Sequence, residues 1–136
     1  MRKRTNIFGI IALLVVSLLA ACSTGPKSID QSVTMSEFAF DPAQISVPAG
    51  SQVNLTLVND GTLAHEFVII KKDMQVTAPF DEDQDEDKIY WENEVEAGES
   101  ESEVFSAPEE PGEYQIICGI AGHLEQGMQG TLTVTQ

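Results

Sequence analysis

Beyond residue 32, apolar and polar side chains alternate along most of the chain with a period of two residues. Such alternation places every second side chain on one face of a strand and is typical of half-buried β-strands. Strands are predicted around residues 33–35, 53–58, 100–105, 114–118 and 132–134, and the apolar run 67–70 predicts a strand buried on both faces. Turn signals separate these segments. The pattern indicates an all-β domain of antiparallel strands, arranged as a sandwich or a barrel.

One segment, residues 72–91, departs from this alternation. Its centre carries six carboxylates in seven positions: Asp81, Glu82, Asp83, Asp85, Glu86 and Asp87. Mutual repulsion among these charges disfavours compact local structure. We therefore expect an exposed loop here, with one helical turn near residues 85–90.

The amino terminus has the organisation of an export signal. Basic residues at positions 2–4 precede an apolar run over residues 7–20, which is short for a transmembrane helix. The run ends Leu-Ala-Ala-Cys at residues 19–22, which resembles the lipobox of bacterial lipoproteins. That resemblance implies cleavage before Cys22 and lipid on the new terminal cysteine. The alternative is an ordinary secretory signal followed by an incidental cysteine.

Three regions are therefore predicted: a lipoprotein signal peptide over residues 1–21, a lipidated Cys22 with a flexible tether to residue 32, and one domain over residues 33–136. The tether is predicted from its polar composition and its lack of an apolar period. Lipid chains would hold the domain at the cell membrane on the extracytoplasmic, periplasmic side.

Charge restricts the partners. Without residues 1–21 the chain keeps four lysines against 22 acidic residues, a formal net charge of −18. Such a charge argues against binding to nucleic acid or to anionic lipid head groups, and it favours a basic partner.

Four side chains are candidate metal ligands. Cys118, His123 and Met128 follow one another at five-residue intervals, and His65 lies just after a turn far upstream. If Cys22 carries lipid, Cys118 has no disulfide partner in the chain. Singly, each of these residues could be an ordinary core or surface residue. Together they form His₂Cys with a weak axial Met, the ligand set of a type 1 copper site. The sequence thus predicts one copper ion that cycles between Cu(I) and Cu(II).

Glycines separate the predicted ligands of the loop. Gly119, Gly122, Gly127 and Gly130 are expected to allow tight turns and positive φ angles.

The chain resembles the cupredoxins, the superfamily of plastocyanin and azurin, and within them the auracyanin type. The resemblance covers residues 33–136 and rests on the copper motif together with residues 38–42, 45–50, 59–61, 111–114 and 130–134. It implies a Greek-key sandwich of about eight strands with copper near one end. It also implies an electron carrier, expected to be a monomer, rather than an enzyme.

Two positions differ from the usual family pattern. Glu66 stands where many cupredoxins have an asparagine that ties the ligand loops together, and Ile117 stands where plastocyanins have an aromatic residue. In plastocyanins that aromatic residue offers the electron a remote route. Ile117 is not expected to provide one, so His123 becomes the predicted exit for the electron. An apolar docking patch is expected around it, comprising Ile120, Ala121, Leu124, Leu63 and Ala64.

The leading functional hypothesis is electron transfer between redox partners, with a basic cytochrome or a membrane electron-transfer complex steered by the carboxylates of residues 81–87. Those carboxylates could equally be only a solvated face. The alternative is a periplasmic protein that binds or carries copper without electron transfer. A copper module of a larger oxidoreductase is less favoured, because both histidines are committed to one copper and no ligands remain for a second.

Overall fold

The computed structural model describes residue 25 and residues 27–136. The predicted signal peptide and Cys22 lie outside this part of the chain. Within it, nine strands form two sheets. The strands are β1 (Ser28–Ser36), β2 (Ala39–Asp41), β3 (Gln44–Pro48), β4 (Gln52–Asn59), β5 (His65–Ile70), β6 (Ile89–Val95), β7 (Ser100–Ser106), β8 (Gly112–Cys118) and β9 (Gln129–Thr135). One short helix, α1 (Glu82–Asp85), and two 3₁₀ turns (Glu86–Lys88 and Leu124–Gln126) complete the described elements.

The two sheets have the strand orders β2-β1-β4-β7 and β3-β9-β8-β5-β6. The predicted sandwich is confirmed, but the prediction that all strands are antiparallel is wrong for two pairs. β1 runs parallel to β4, and β3 runs parallel to β9. The chain leaves the first sheet after β2, adds β3 to the second sheet and then returns, so β4 enters beside β1 in the same direction. Local alternation predicts strands, and it contains no information about such crossovers.

Strand β1 begins earlier than the sequence suggested. Ser28 already pairs with Gln52, and Ile29 packs against the core between the sheets. The predicted boundary at residue 33 is therefore wrong, because residues 28–32 belong to the sandwich and not to a tether. The polar composition of this stretch comes from outward-facing side chains of a strand that is paired along this half on one side only.

Apolar side chains from both inner faces fill the space between the sheets. Aromatic pairs close one side of this core: Phe40 meets Phe67 edge to face at 5.3 Å between ring centroids, and Trp91 stacks on Phe105 at 4.9 Å. Such pairs contribute about 0.5–1.5 kcal/mol each beyond the area they bury. Both pairs connect the second sheet to the first, and Phe67 lies opposite Cys118 where β5 pairs with β8.

A second apolar cluster lies on the outer face of the second sheet. Val68 and Ile117 contribute from the sheet, and Val76, Phe80 and Leu124 cover them. The acid-rich segment is thus anchored by two of its own apolar side chains. Its α-helix comprises residues 82–85, where Asp81 caps it by accepting a hydrogen bond from the Gln84 backbone N–H. The 3₁₀ turn Glu86–Lys88 lies within the helical turn predicted near residues 85–90.

Residues 89–95 form a strand, β6, that the sequence analysis assigned in part to the loop. Its alternation of buried and exposed side chains is hard to recognise in the sequence because acidic residues surround it. In the region that the structure describes, we find no helix long and apolar enough to cross a membrane.

Candidate metal centre

Two adjacent strands bring the first pair of predicted ligands together. His65 opens β5 and Cys118 closes β8, and the two strands are antiparallel with Phe67 opposite Cys118. His65 and Cys118 are therefore neighbours at one end of the sandwich, although 53 positions separate them in sequence. Period-two alternation directs Cys118 into the core beside Tyr114 and Ile116.

Backbone hydrogen bonds hold the loop that carries the other two predicted ligands. The Met128 N–H donates to the His123 carbonyl at 3.1 Å, and the Cys118 N–H donates to the Met128 carbonyl at the same distance. The His123 backbone N–H in turn donates to the Ile120 carbonyl at 3.0 Å. Each predicted ligand on the loop is thus fixed by another ligand or by the intervening turn. Met128 is completely buried in the same cluster as Cys118.

Three donor atoms converge. His65 Nδ1 and His123 Nδ1 are 3.1 Å apart, and Cys118 Sγ lies 3.3 Å from His123 Nδ1 and 3.9 Å from His65 Nδ1. Imidazole and thiolate bonds to a first-row metal measure roughly 2.0–2.3 Å, so the corners of a trigonal plane are about 3.5–4.0 Å apart. Shifts of a few tenths of an ångström would place these three atoms around one ion. The residues therefore fit a trigonal metal.

Burial makes this cluster costly without a metal. Burial lowers the pKa of His65, and the nearby His123 lowers it further. Burial also raises the pKa of the Cys118 thiol, an effect that hydrogen bonds from the backbone of Glu66 and Ile120 partly offset. A bound cation removes the proton from a coordinating thiol and requires neutral imidazoles. Both imidazoles and the sulfur are thus protected from water and disposed to accept a soft, thiophilic cation.

At Glu66, where many cupredoxins have asparagine, the hydrogen bonds to the ligand loop come from the backbone. Its backbone N–H points at Cys118 Sγ at 3.4 Å, and its carbonyl accepts from the Gly119 N–H at 3.4 Å. Its side chain is 8% exposed and lies against Gly119. Burial, and then the carboxylates of Glu92, Glu82 and Glu94, raise the pKa of Glu66 to about 7. The main chain keeps the loops together, while a buried carboxyl group covers the start of the ligand loop.

The structure divides the predicted docking patch. Leu63 and Ala121 are exposed, and Ile120 and Ala64 are half-buried. Leu124, by contrast, is buried in the outer apolar cluster, so its assignment to the patch is wrong. Its 3₁₀ turn directs the side chain toward Val68 and Ile117 instead of the solvent. His123 itself is only 5% exposed.

One further residue at this end, Phe38, was not predicted from the sequence. Phe38, in the turn between β1 and β2, lies edge-on to His123 with ring centroids 5.3 Å apart, and it is 39% exposed. The signal that could have revealed it is an aromatic residue in a two-residue turn, where small polar residues are usual.

The acidic residues are only partly engaged. Asp81 accepts hydrogen bonds from Gln84, and Asp85 forms an ion pair with Lys88 at 2.7 Å. The hypothesis that residues 81–87 steer a partner stays a prediction.

A nine-stranded sandwich with two imidazoles and a thiol at one end defines a class of protein. Residues 9–134 match the family of cupredoxin-like domains, and the chain belongs to that family. The donor set and the family together confirm the cofactor prediction of one copper ion.

Among known proteins, the chain is 31% identical to auracyanin-B from Chloroflexus aurantiacus over 127 residues, covering 82% of this chain and 54% of auracyanin-B. It is 33% identical to the copper-resistant cuproprotein CopI from Rubrivivax gelatinosus over 108 residues, covering 75% of this chain and 64% of CopI. The chain thus spans between half and two thirds of these curated relatives. The crystal structure of dithionite-reduced auracyanin from Roseiflexus castenholzii superposes with a TM-score of 0.69 at 28% identity, covering 81% of this chain and 99% of that one.

Proposed function

We propose that this protein carries single electrons between redox partners through one type 1 copper ion, bound by His65, Cys118, His123 and Met128, and that it is not itself an enzyme. The observation that carries the proposal is the convergence of Cys118 Sγ and two histidine Nδ1 atoms within 3.9 Å in a buried site. Cu(I) and Cu(II) both accept this donor set, and the thiolate supplies the covalent path for the electron.

The surroundings suit repeated electron transfer. His65 stands on a core strand, and His123 and Met128 are linked to each other by a backbone hydrogen bond. Burial keeps water away from the donor atoms. A rigid, dry site allows little movement when the charge changes, so little energy is spent on reorganisation.

Spectroscopy of the copper-loaded protein tests this proposal. We expect an intense visible thiolate-to-copper absorption, the EPR signal of a single Cu(II), and reversible one-electron cycling at an electrode. A protein that binds copper without that absorption would contradict the site. A protein that has the absorption but cannot be reduced and reoxidised would contradict the function.

Replacing the predicted axial ligand should change the potential and spare the site. In Met128→Leu a weak donor to Cu(II) is lost, so the reduction potential should rise. A tenfold change in the relative affinities for Cu(I) and Cu(II) corresponds to about 59 mV for one electron, and we expect a shift of that order. Voltammetry of the copper protein measures it. An unchanged or lowered potential would argue against Met128 as the axial ligand.

The location and partners belong to the same proposal. The lipobox-like residues 19–22 support lipid attachment at Cys22 and a position at the extracytoplasmic face of the cell membrane. The net charge of the predicted mature chain supports a basic cytochrome or membrane complex as partner, approached through the carboxylates of residues 81–87. Mass spectrometry of the protein from the membrane fraction tests the anchor: unmodified Cys22 would exclude it.

A second candidate, copper carriage without electron transfer, is favoured by the similarity to a protein named for copper resistance. Reversible electrode cycling would argue against it, whereas rapid transfer of Cu(I) to a chelator would support it. A role as the copper module of a larger oxidoreductase would require turnover of a small substrate. The absence of turnover by the purified protein would exclude catalysis by this chain alone.

A further inference from the structure

The turn between β1 and β2 holds an aromatic residue in an unusual backbone conformation. The turn consists of Glu37 and Phe38, and Phe38 has a φ of +63°. Glycine and asparagine are the residues that normally occupy this region, because a bulky side chain is crowded there. Strained conformations of this kind persist only when the surroundings impose them, and they concentrate at functional sites.

The consequence of this conformation is a contact with a copper ligand. The Phe38 ring lies nearly perpendicular to the His123 ring, at 87°, with centroids 5.3 Å apart. His123 is 5% exposed and Phe38 is 39% exposed. The imidazole predicted as the electron exit is therefore covered, and the aromatic ring packed on it is open to solvent.

Hydrogen bonds from the neighbouring loop fix the turn in place. Glu37 Oε1 accepts hydrogen bonds from the Thr62 backbone N–H and from the Thr62 hydroxyl, the latter at 2.9 Å. These bonds lower the pKa of Glu37 to about 2, so the carboxylate is ionised at neutral pH. Thr62 precedes His65 by three residues, and the Asp60 N–H donates to the Met35 carbonyl at 2.9 Å. The turn is thus tied to the loop that leads into His65, while Phe38 rests on His123.

We propose that Phe38 is the surface residue through which a partner exchanges electrons with His123. This inference rests on the proposed electron-transfer function and names its contact point. In the transfer, Cu(I) gives one electron and becomes Cu(II), and the one-electron acceptor is reduced. No bond forms or breaks and no proton moves.

The partner is a redox protein that presents an apolar edge flanked by basic side chains. Two further exposed apolar residues lie at this end: Leu63, 47% exposed, follows the Thr62 that bonds to Glu37, and Ala121 lies two residues before His123. Negative charge adjoins Phe38, because Glu37 shares the turn and Asp60 is exposed at the base of the next loop. An aromatic anchor with charge around it is the usual composition of a strong interface contact.

The test is the oxidation of the copper(I) protein by tris(1,10-phenanthroline)cobalt(III), a cationic and aromatic one-electron oxidant, followed by stopped flow at the copper absorption. Phe38→Leu should slow the reaction about tenfold, as expected when an aromatic anchor is lost. Phe38→Trp should remain near the wild-type rate. The matched control is Tyr90→Leu, because Tyr90 is a comparably exposed aromatic that bonds to Ser106, opposite Gln52, at the other end of the sandwich.

Phe38→Gly separates electron transfer from folding. Glycine accepts the positive φ, so this variant should unfold at a denaturant concentration no lower than Phe38→Leu, yet transfer electrons at least as slowly. The visible spectrum and the potential should stay near those of the wild type. Wild-type rates in Phe38→Leu and Phe38→Gly, or an equal slowing in Tyr90→Leu, would overturn the inference. A wild-type protein that lacks the copper absorption or is not oxidised at all would instead refute the proposed function.

Discussion

Replacing Cys118 with Ser will abolish the intense visible absorption of the copper-loaded protein. That absorption requires charge transfer from a thiolate to Cu(II), and Cys118 Sγ is the sulfur placed 3.3 Å from His123 Nδ1 and 3.9 Å from His65 Nδ1. A serine hydroxyl is a hard, protonated donor that does not replace a thiolate toward copper. We expect complete loss of the band and much weaker copper binding, measured by absorption and by competition with a Cu(I) chelator.

Cys22→Ser is the matched control, because it removes the other cysteine of the chain. This variant should keep the absorption unchanged, since Cys22 is predicted to carry lipid and not metal. A band that survives in Cys118→Ser would overturn the copper assignment. A band lost in Cys22→Ser would mean that both cysteines contribute to the site.

The copper motif was open to prediction because its chemistry is local. Cys118, His123 and Met128 lie on one loop, and few side chains can bind copper, so spacing and residue type restricted the choice. The strands around them were predictable for a related reason. Alternation shows which side chains share a face of a strand, and Tyr114, Ile116 and Cys118 lie in the same core cluster.

The features that could not be predicted from the sequence depend on contacts between segments that are distant in the chain. Residues 28–32 have the composition of a tether, and only the partner strand β4 makes them a strand. Leu124 lies next to His123 in sequence, yet a 3₁₀ turn sends it to the outer face of the sheet. Phe38 is 85 positions from His123, and no local pattern could connect two rings brought together by different sheets.

For the glycines of the ligand loop, too, the sequence alone does not show why each position is glycine. The expectation of positive φ is correct for Gly122 and Gly127, at +88° and +90°. Gly119 and Gly130 do not have positive φ and are instead required by lack of space. A Cβ at Gly130 would collide with the Ala43 carbonyl, and a Cβ at Gly119 would collide with the Glu66 carboxyl group.

Gly119→Ala should therefore disturb the ligand loop through Glu66. The added methyl group would overlap Glu66 Oε2 and lie 2.9 Å from Glu66 Cδ and 3.1 Å from Val68 Cγ2. Glu66 is 8% exposed, so moving its carboxyl group away from the new methyl group should carry a cost. We expect the free energy of unfolding of the copper-free, reduced protein to fall by about 1–3 kcal/mol, the usual cost of overpacking. Denaturant titration measures this, and the copper absorption should shift because residue 119 adjoins Cys118.

Combining Gly119→Ala with substitutions at Glu66 identifies the cause of the destabilisation. In a Glu66→Ser background the space over residue 119 is open, so Gly119→Ala should cost at least about 1 kcal/mol less than it does alone. In a Glu66→Gln background the side chain keeps its size and loses its charge, so the full cost should remain. Equal costs in all three backgrounds would show that the backbone, and not Glu66, requires glycine. Relief by Gln as well as Ser would instead assign the penalty to the charge of the buried Glu66 carboxylate.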